Sequence, residues 1–381
     1  MKKPILFLPC LFLVCTLAGP VPAQETKPSE QSSKTSQLPD DEYEKRINTL
    51  EERIKNLENY LSPESQSNKW FERIKISGVI EVEAWYQETD YRDHAEEDDE
   101  DSSDIDLAAV ELAGDIGIAD HVGGHVMYKY EDDDVFLDEG FITLTGTEAF
   151  PAYLIAGRQY IPFGFFDTHF ITDPNTLILG ETNEGAAVAG YRFAGGMIDV
   201  SFGTFNGKVQ EDGDDEIDSF VASIAANPFE NLTLGASYTS NLAGSDSLSE
   251  EVEEDNLDSL VAGWNVFVCY EFLERFKAIG EYVAALDEFS AGELYSPDAS
   301  GRKPSAWNLE FGATIMENLE AAVRYGGSDD GAEFIPETQY GAVINWEFLE
   351  NTNMAVEYLC GEFEHDAQET DSFTAQLAFA F

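Results

Sequence analysis

The last residues of the chain alternate without a break. Phe373, Ala375, Leu377, Phe379 and Phe381 occupy one parity, and Ser372, Thr374, Gln376, Ala378 and Ala380 the other. A period of two is the signature of a β-strand with unlike faces. Here one face is greasy and aromatic, and the other is small or polar. From Phe71 onward the same pattern recurs in segments of about ten residues, the length of a membrane-crossing strand, with Gly, Asn and Asp clusters between them and no helical period. Sixteen strands are expected, near 74–88, 105–118, 122–131, 136–146, 152–160, 186–194, 197–205, 218–226, 231–240, 257–271, 274–286, 304–315, 318–326, 337–348, 352–362 and 371–381.

The connections decide which way the greasy face points. Odd-to-even connections include the long ones, around 89–104, 161–185, 206–217, 241–256, 287–303, 327–336 and 363–370. Even-to-odd connections are short, such as Ala119-Asp120-His121, Gly195-Gly196, Phe229-Glu230 and Glu350-Asn351. A soluble sandwich or a β-helix does not require that asymmetry. A bacterial outer-membrane barrel does, with lipid outside, water inside, short turns in the periplasm and long loops outside the cell. The expected fold class is therefore all-β: a 16-stranded antiparallel transmembrane β-barrel over 71–381. An even strand number leaves both chain ends periplasmic. Trp70, Phe71, Phe229, Tyr270, Phe272, Phe276, Trp346, Phe348 and Phe381 gather near the short-turn ends, where interfacial aromatics belong.

Charge narrows the partners. The chain carries 75 acidic against 21 basic side chains, a formal net charge of −54. Nucleic acid is excluded, because phosphate binding needs basic patches. Four cysteines in 381 residues are too few and too scattered for a disulfide scaffold or a structural zinc site.

The N-terminus reads as three short segments. Lys2 and Lys3, an apolar run from Ile5 to Ala18, and Val21-Pro22-Ala23 have the order of a secretory signal peptide over 1–23, with an uncleaved anchor as the alternative. Residues 24–40, rich in Ser, Thr, Gln, Lys and Pro, read as a disordered linker. Ile47, Leu50, Ile54, Leu57 and Leu61 then recur at spacings of three and four, the seam of a short α-helical coiled coil over 41–62. The unit Arg-Ile-x-x-Leu-Glu occurs twice there, at 46–51 and 53–58, and is similar to a trimer-forming motif. A single amphipathic helix packed on its own domain is the alternative. The coiled coil is expected in the periplasm and implies a homotrimer.

Ala156-Gly157-Arg158-Gln159-Tyr160-Ile161-Pro162-Phe163-Gly164, followed by Ile171-Thr172-Asp173-Pro174 and Leu179-Gly180-Glu181-Thr182, resembles the LbtU-type siderophore porin family. Asp138 to Leu144 and Ile76 to Glu83 fit it too, as does the order of signal, coiled coil and barrel ending in Phe. The resemblance implies an outer-membrane porin with passage of iron–siderophore complexes. A Gly-x-x-x-x-Pro-Phe-Gly stretch occurs in other porins as well, so it marks a porin better than a solute.

The loop over 161–185 is unlike its acidic neighbours: it holds Phe163, Phe165, Phe166, Phe170, Ile171, Leu177, Ile178 and Leu179. Apolar surface left in water costs roughly 25 cal/mol per Å², so the loop is expected to fold into the barrel as a constriction. A rim cap or a subunit contact is the alternative. Strand parity points Lys75, Glu81, Glu83, Glu111, Asp115, Lys129, Glu139, Arg158, Arg192, Asp199, Lys277, Glu281, Glu310, Arg324, Glu347 and Glu357 inward. Arg158 and Arg192 border the loop, and with Lys129, Arg324, Phe163, Phe165, Phe166 and Asp173 they form the set of constriction candidates. An arginine facing mid-bilayer lipid costs roughly 2–4 kcal/mol. Salt bridging to lumenal acids is the other reading of the two arginines.

The expected function is passive, TonB-independent passage of small hydrophilic solutes, since the chain has no room for both a plug and twenty-two strands. The surroundings are outer-membrane lipid and lipopolysaccharide. No cofactor, catalytic set or metal site is expected: the five histidines lack ligand spacing, and the acidic loops match no calcium-loop pattern. A structural or adhesive envelope protein, with the barrel as anchor, is the competing reading.

Overall fold

The computed structural model describes residues 73–91, 100–211, 216–252, 256–295, 300–364 and 368–381. The signal peptide, linker and coiled coil expected over 1–62 lie outside the described residues.

Sixteen antiparallel strands close into one barrel, each paired with its neighbours in the sequence and the last with the first. They are β1 (Ile74–Tyr91), β2 (Glu100–Ala119), β3 (Val122–Glu131), β4 (Asp134–Thr147), β5 (Phe150–Tyr160), β6 (Asn183–Phe193), β7 (Ile198–Phe205) and β8 (Ser219–Phe229). The second half comprises β9 (Leu232–Thr239), β10 (Gly263–Phe272), β11 (Phe276–Ala285), β12 (Ser305–Met316), β13 (Leu319–Asp329), β14 (Thr338–Leu349), β15 (Thr352–Glu362) and β16 (Gln368–Ala380). Closure leaves no edge strand, which is what a sheet without water at its rim requires.

The two faces of the wall are inverted relative to a soluble protein. Leu309 and Phe311 flank Glu310 on β12; Leu309 is 53% exposed whereas Glu310 is buried. Ile142, Phe202, Val323, Ile344 and Leu377 are likewise exposed, while Glu81, Glu83, Asn265, Glu281, Asn308 and Glu357 are buried. The apolar band faces outward, as a lipid solvent demands. No helix of the described residues is long and apolar enough to cross a membrane. Near the short-turn ends, Tyr270, Phe272, Phe276 and Phe311 contact one another, as do Trp346 with Phe348 and Phe379 with Phe381.

Two departures from the expected strands have physical causes. The connection between β3 and β4 lies on the long-loop side yet has two residues, Asp132 and Asp133, both at positive φ (50° and 66°). That geometry matches the twist of a tight hairpin. Strand β10 begins at Gly263 rather than near 257, because Leu257 and Val261 are drawn into an apolar core beneath the loops.

That core gathers Ile161, Phe163, Phe166, Leu177 and Leu179 with Val209, Leu242, Leu248, Leu257, Phe289, Leu294 and Ile335. Five connections therefore share one buried cluster with inward wall residues such as Val188, Phe205, Val221 and Val283. Gln210–Glu211 and Asn256–Leu257 pair in parallel and tie two of these connections together.

Candidate functional site

Residues 161–182 leave β5, cross the barrel and return to β6. Strands β5 and β13 stand eight positions apart in a ring of sixteen, so they are diametrically opposed. From β13, Arg324 donates to Thr172 O at 2.8 Å, Thr168 Oγ1 at 2.6 Å and Asp173 O at 3.3 Å, and its guanidinium sits 4.3 Å from the Phe170 ring centre. The loop can make those contacts only by spanning the lumen. Phe170 then packs on Ala322, Val343 and Leu359, the inner wall of β13 to β15.

Three wall carboxylates catch the loop backbone. Glu281 on β11 accepts from Phe165 N at 2.7 Å and Phe166 N at 3.0 Å, and also from Asn265 Nδ2 and Thr176 Oγ1. Glu310 on β12 accepts from His169 N at 2.7 Å and Thr168 Oγ1 at 2.7 Å. Glu357 on β15 accepts from Ile171 N at 2.6 Å, Thr172 N at 3.1 Å and Thr172 Oγ1 at 2.6 Å. Hydrogen bonds to a charged acceptor contribute about 1.5–3 kcal/mol each, and they satisfy amides that the apolar surroundings would otherwise strand. Ser237 accepts from Gly164 N, Asn345 donates to His169 O, Lys277 pairs with Asp167, and His169 Nδ1 lies 2.6 Å from Glu320.

Local geometry follows from the loop's composition. Gly164 has φ +83°, and a side chain there would meet the Phe166 ring at 2.1 Å. The chain thus folds Phe166 back into the core at a position that glycine tolerates. A short helix α1 (Asn175–Gly180) follows Pro174 and buries Leu177 and Leu179.

The eight candidates divide. Phe163 and Phe166 are buried in the loop core and line no water, contrary to their assignment to the passage. Phe165 stacks on Phe267 at 4.7 Å. Arg324 lies behind the loop rather than facing the lumen. Arg192 does not border the loop: it lies nine residues along β6 from Asn183, roughly 30 Å at a strand's rise, where it pairs with Asp199 at 3.2 Å and covers Tyr153. Arg158 pairs in register with Gly140 and Gly185. Its parity is that of the exposed Leu154 and Ala156, and Gly157 at φ +143° interrupts the repeat between them. What ties Arg158 toward the interior is its charge interaction with Asp138, Glu184 and Asp246. Lys129 is buried and paired with Glu131 at 3.0 Å.

Asp173 is 2% exposed, and neither of its carboxylate oxygens receives a hydrogen bond. Burial, and then the neighbouring Glu181, hold its proton affinity well above the usual carboxylate range. Burial, then Asp246, push Glu181 up to about 8.

Strand parity points Glu281, Glu310 and Glu357 inward without assigning them to the loop, and it does not single out Ser237, Asn265, Thr168, Thr172 or Asn345. The available signal was three inward carboxylates on strands opposite a single apolar loop.

With the geometry in view, solved structures show the same fold. The chain is similar to an anion-selective porin from Comamonas acidovorans (TM-score 0.58, 12% identity, covering 81% of this chain and 99% of that one). It is similar to OmpF of Salmonella typhi, solved in complex with daunomycin (TM-score 0.54, 12% identity, 81% and 97%). It is also similar to OmpT of Vibrio cholerae, an outer-membrane protein solved in a trimer form (TM-score 0.51, 12% identity, 81% and 99%). At that identity the likeness shows the porin-like fold alone. In sequence, the chain is 24% identical over 316 residues to a UPF0422 protein of Coxiella burnetii and 23% identical over 290 residues to a UPF0422 protein of Legionella pneumophila, covering 78% and 67% of this chain. It spans 65% and 54% of the length of those relatives. No family model matches the chain.

Proposed function

We propose that this protein is an outer-membrane porin in which the 161–182 loop forms the constriction, and that it passes small hydrophilic solutes downhill without TonB. The single observation that carries this reading is the loop's crossing of the lumen from β5 to Arg324 on β13. A rim cap would leave Glu281, Glu310 and Glu357 facing water; instead they hold backbone amides of residues 165–172. The sequence resemblance extends the solute class to ferric siderophores, and uptake by a deletion strain tests that part. The same resemblance and the doubled Arg-Ile-x-x-Leu-Glu unit support a homotrimer in lipid and lipopolysaccharide. Deleting residues 41–62 is expected to weaken trimers in mild detergent without abolishing the barrel. The porin reading is tested by planar-bilayer recording with the refolded full-length mature chain, which is expected to show discrete openings.

One observation favours a second reading. The apolar core shared by five connections fills part of the barrel mouth, as it would in an envelope protein whose barrel only anchors acidic loops. A folded barrel that never conducts would establish that alternative.

A further inference from the structure

The barrel wall does not end at one height on its long-loop side. Strands β15, β16 and β1 stay paired as far as Glu362 with Glu369 and Tyr91 with Gln368. Strand β2 begins beside β1 at Glu100, but β3 stops at Glu131, so the ladder between β2 and β3 rises no higher than Val110 with Tyr130. The tight turn at Asp132 and Asp133 is what lowers the wall there. From Glu100 to Ala108, roughly 30 Å at a strand's rise, no strand of the described residues pairs with β2 on its β3 side.

Hydrogen bonds and exposure mark this edge as open. The N–H groups of Ile105 and Leu107, two residues apart and therefore on one edge, donate at 2.8 Å to the carboxylates of Asp104 and Asp106, the residues just before them. Every residue from Glu100 to Leu107 is exposed. Ile105 and Leu107 keep the parity of the buried, inward Ala109 and Glu111, yet they are 75% and 38% exposed. The opposite parity carries Asp104 and Asp106, and Glu131 to Asp134 put four consecutive acids at the neighbouring hairpin. No lysine or arginine lies between Glu100 and Ala108.

We infer that the edge of β2 between Glu100 and Ala108 receives an extended basic polypeptide from outside the cell, which joins the wall as one more strand. Its side chains alternate: apolar beside Ile105 and Leu107, Lys or Arg beside Asp104 and Asp106. An unpaired strand edge is a template for such pairing, in which backbone hydrogen bonds supply affinity and the alternation supplies selectivity. Incoming carbonyls take over the two N–H groups, and the released carboxylates meet the basic side chains. A second copy of this chain does not fit, because its own edge is equally acidic and like charges placed opposite one another destabilise a strand pair. This surface is independent of conduction through the barrel.

The test uses the full-length mature protein in mild detergent at physiological salt and a fluorescent synthetic peptide of alternating Lys and Val. The peptide is expected to bind, and a Glu–Val peptide is not. The Lys–Val peptide N-methylated throughout has the same charge and should bind about tenfold more weakly, the equivalent of one to two ordinary hydrogen bonds. Hydrogen exchange at Ile105 and Leu107 should slow when the unmethylated peptide is added. Ile105→Pro with Leu107→Pro removes both edge donors where a strand edge tolerates proline; binding should fall to that of the methylated peptide while the barrel keeps its heat-modifiable migration. Equal binding of the two basic peptides would show attraction by charge alone and overturn the strand. Exchange that stays unchanged in the wild type would overturn it too, whatever the variant does. A proline variant that alters the oligomer yet still binds the peptide would give the edge to a second copy.

Discussion

Arg324 Nε donates to Glu310 Oε1 at 3.0 Å, and neither side chain is exposed at all. The pair sits where the crossing loop meets the far wall. Glu310 simultaneously accepts from His169 N, and Arg324 simultaneously donates to Thr172 O. One buried ion pair therefore joins strand β12, strand β13 and the loop, and its charges find every partner within that junction.

Breaking it from one side should be worse than removing it whole. Arg324→Met leaves Glu310 charged and buried, a situation that costs about 3–5 kcal/mol. The loop should detach, raising single-channel conductance and exposing residues 164–173 to protease, while the barrel keeps its heat-modifiable migration in gels. The double variant Arg324→Met with Glu310→Gln should recover part of the loss. A single variant with wild-type conductance would show that the pair does not hold the loop.

Glu281 and Glu357 should act as two independent clasps. Each accepts two consecutive loop amides, and they stand on strands four positions apart. Replacing either by Gln removes the charge assistance of those bonds, about 1.5–3 kcal/mol per bond at most. Hydrogen exchange at Phe165 and Phe166 should quicken in Glu281→Gln, and at Ile171 and Thr172 in Glu357→Gln. Because the sites share no partner, the double variant should lose close to the sum of the two.

Trimming Phe165 to Asn175 should enlarge the passage and raise conductance. This segment carries Phe170 onto the wall of β13 to β15 and Phe165 onto Phe267, and deleting it returns that space to water. Unchanged conductance in a correctly folded barrel would mean that solutes never pass the loop.

The barrel was legible in the sequence because a two-residue period and alternating short and long connections have few other physical explanations. Phe379 and Phe381 announce an outward aromatic rim, and they do contact each other. The loop's inward fold was legible too, since eight apolar residues in one connection must find cover. Its clasps were not, for they join residues more than a hundred positions apart, such as Phe165 with Glu281, and nothing local encodes such a pairing. Parity failed at particular places for particular reasons. Asp138 is an extra residue on β4, opposite the Met127–Tyr128 step, and Gly157 breaks the repeat next to Arg158. A slip of one residue changes the face a side chain takes. Leu257 and Val261 extended the expected β10 because burial in a loop core and burial in a wall leave the same apolar mark.

Glu181 lies in the loop, where burial and then Asp246 push its titration up to about 8. Lys129 acts against that shift, while Asp138 and Glu131 add to it. Below about 8 the carboxyl carries its proton and contributes no charge to the loop; above it the carboxylate adds one negative charge to the loop's return limb. Preference for potassium over chloride should therefore rise as pH is raised from 7 to 9, since each added fixed charge concentrates cations further. The Glu181→Gln variant should lose this rise while still conducting, because glutamine does not titrate. A rise that persists in that variant would assign the change to another group, and a preference that falls with pH would contradict the sign expected of an added carboxylate.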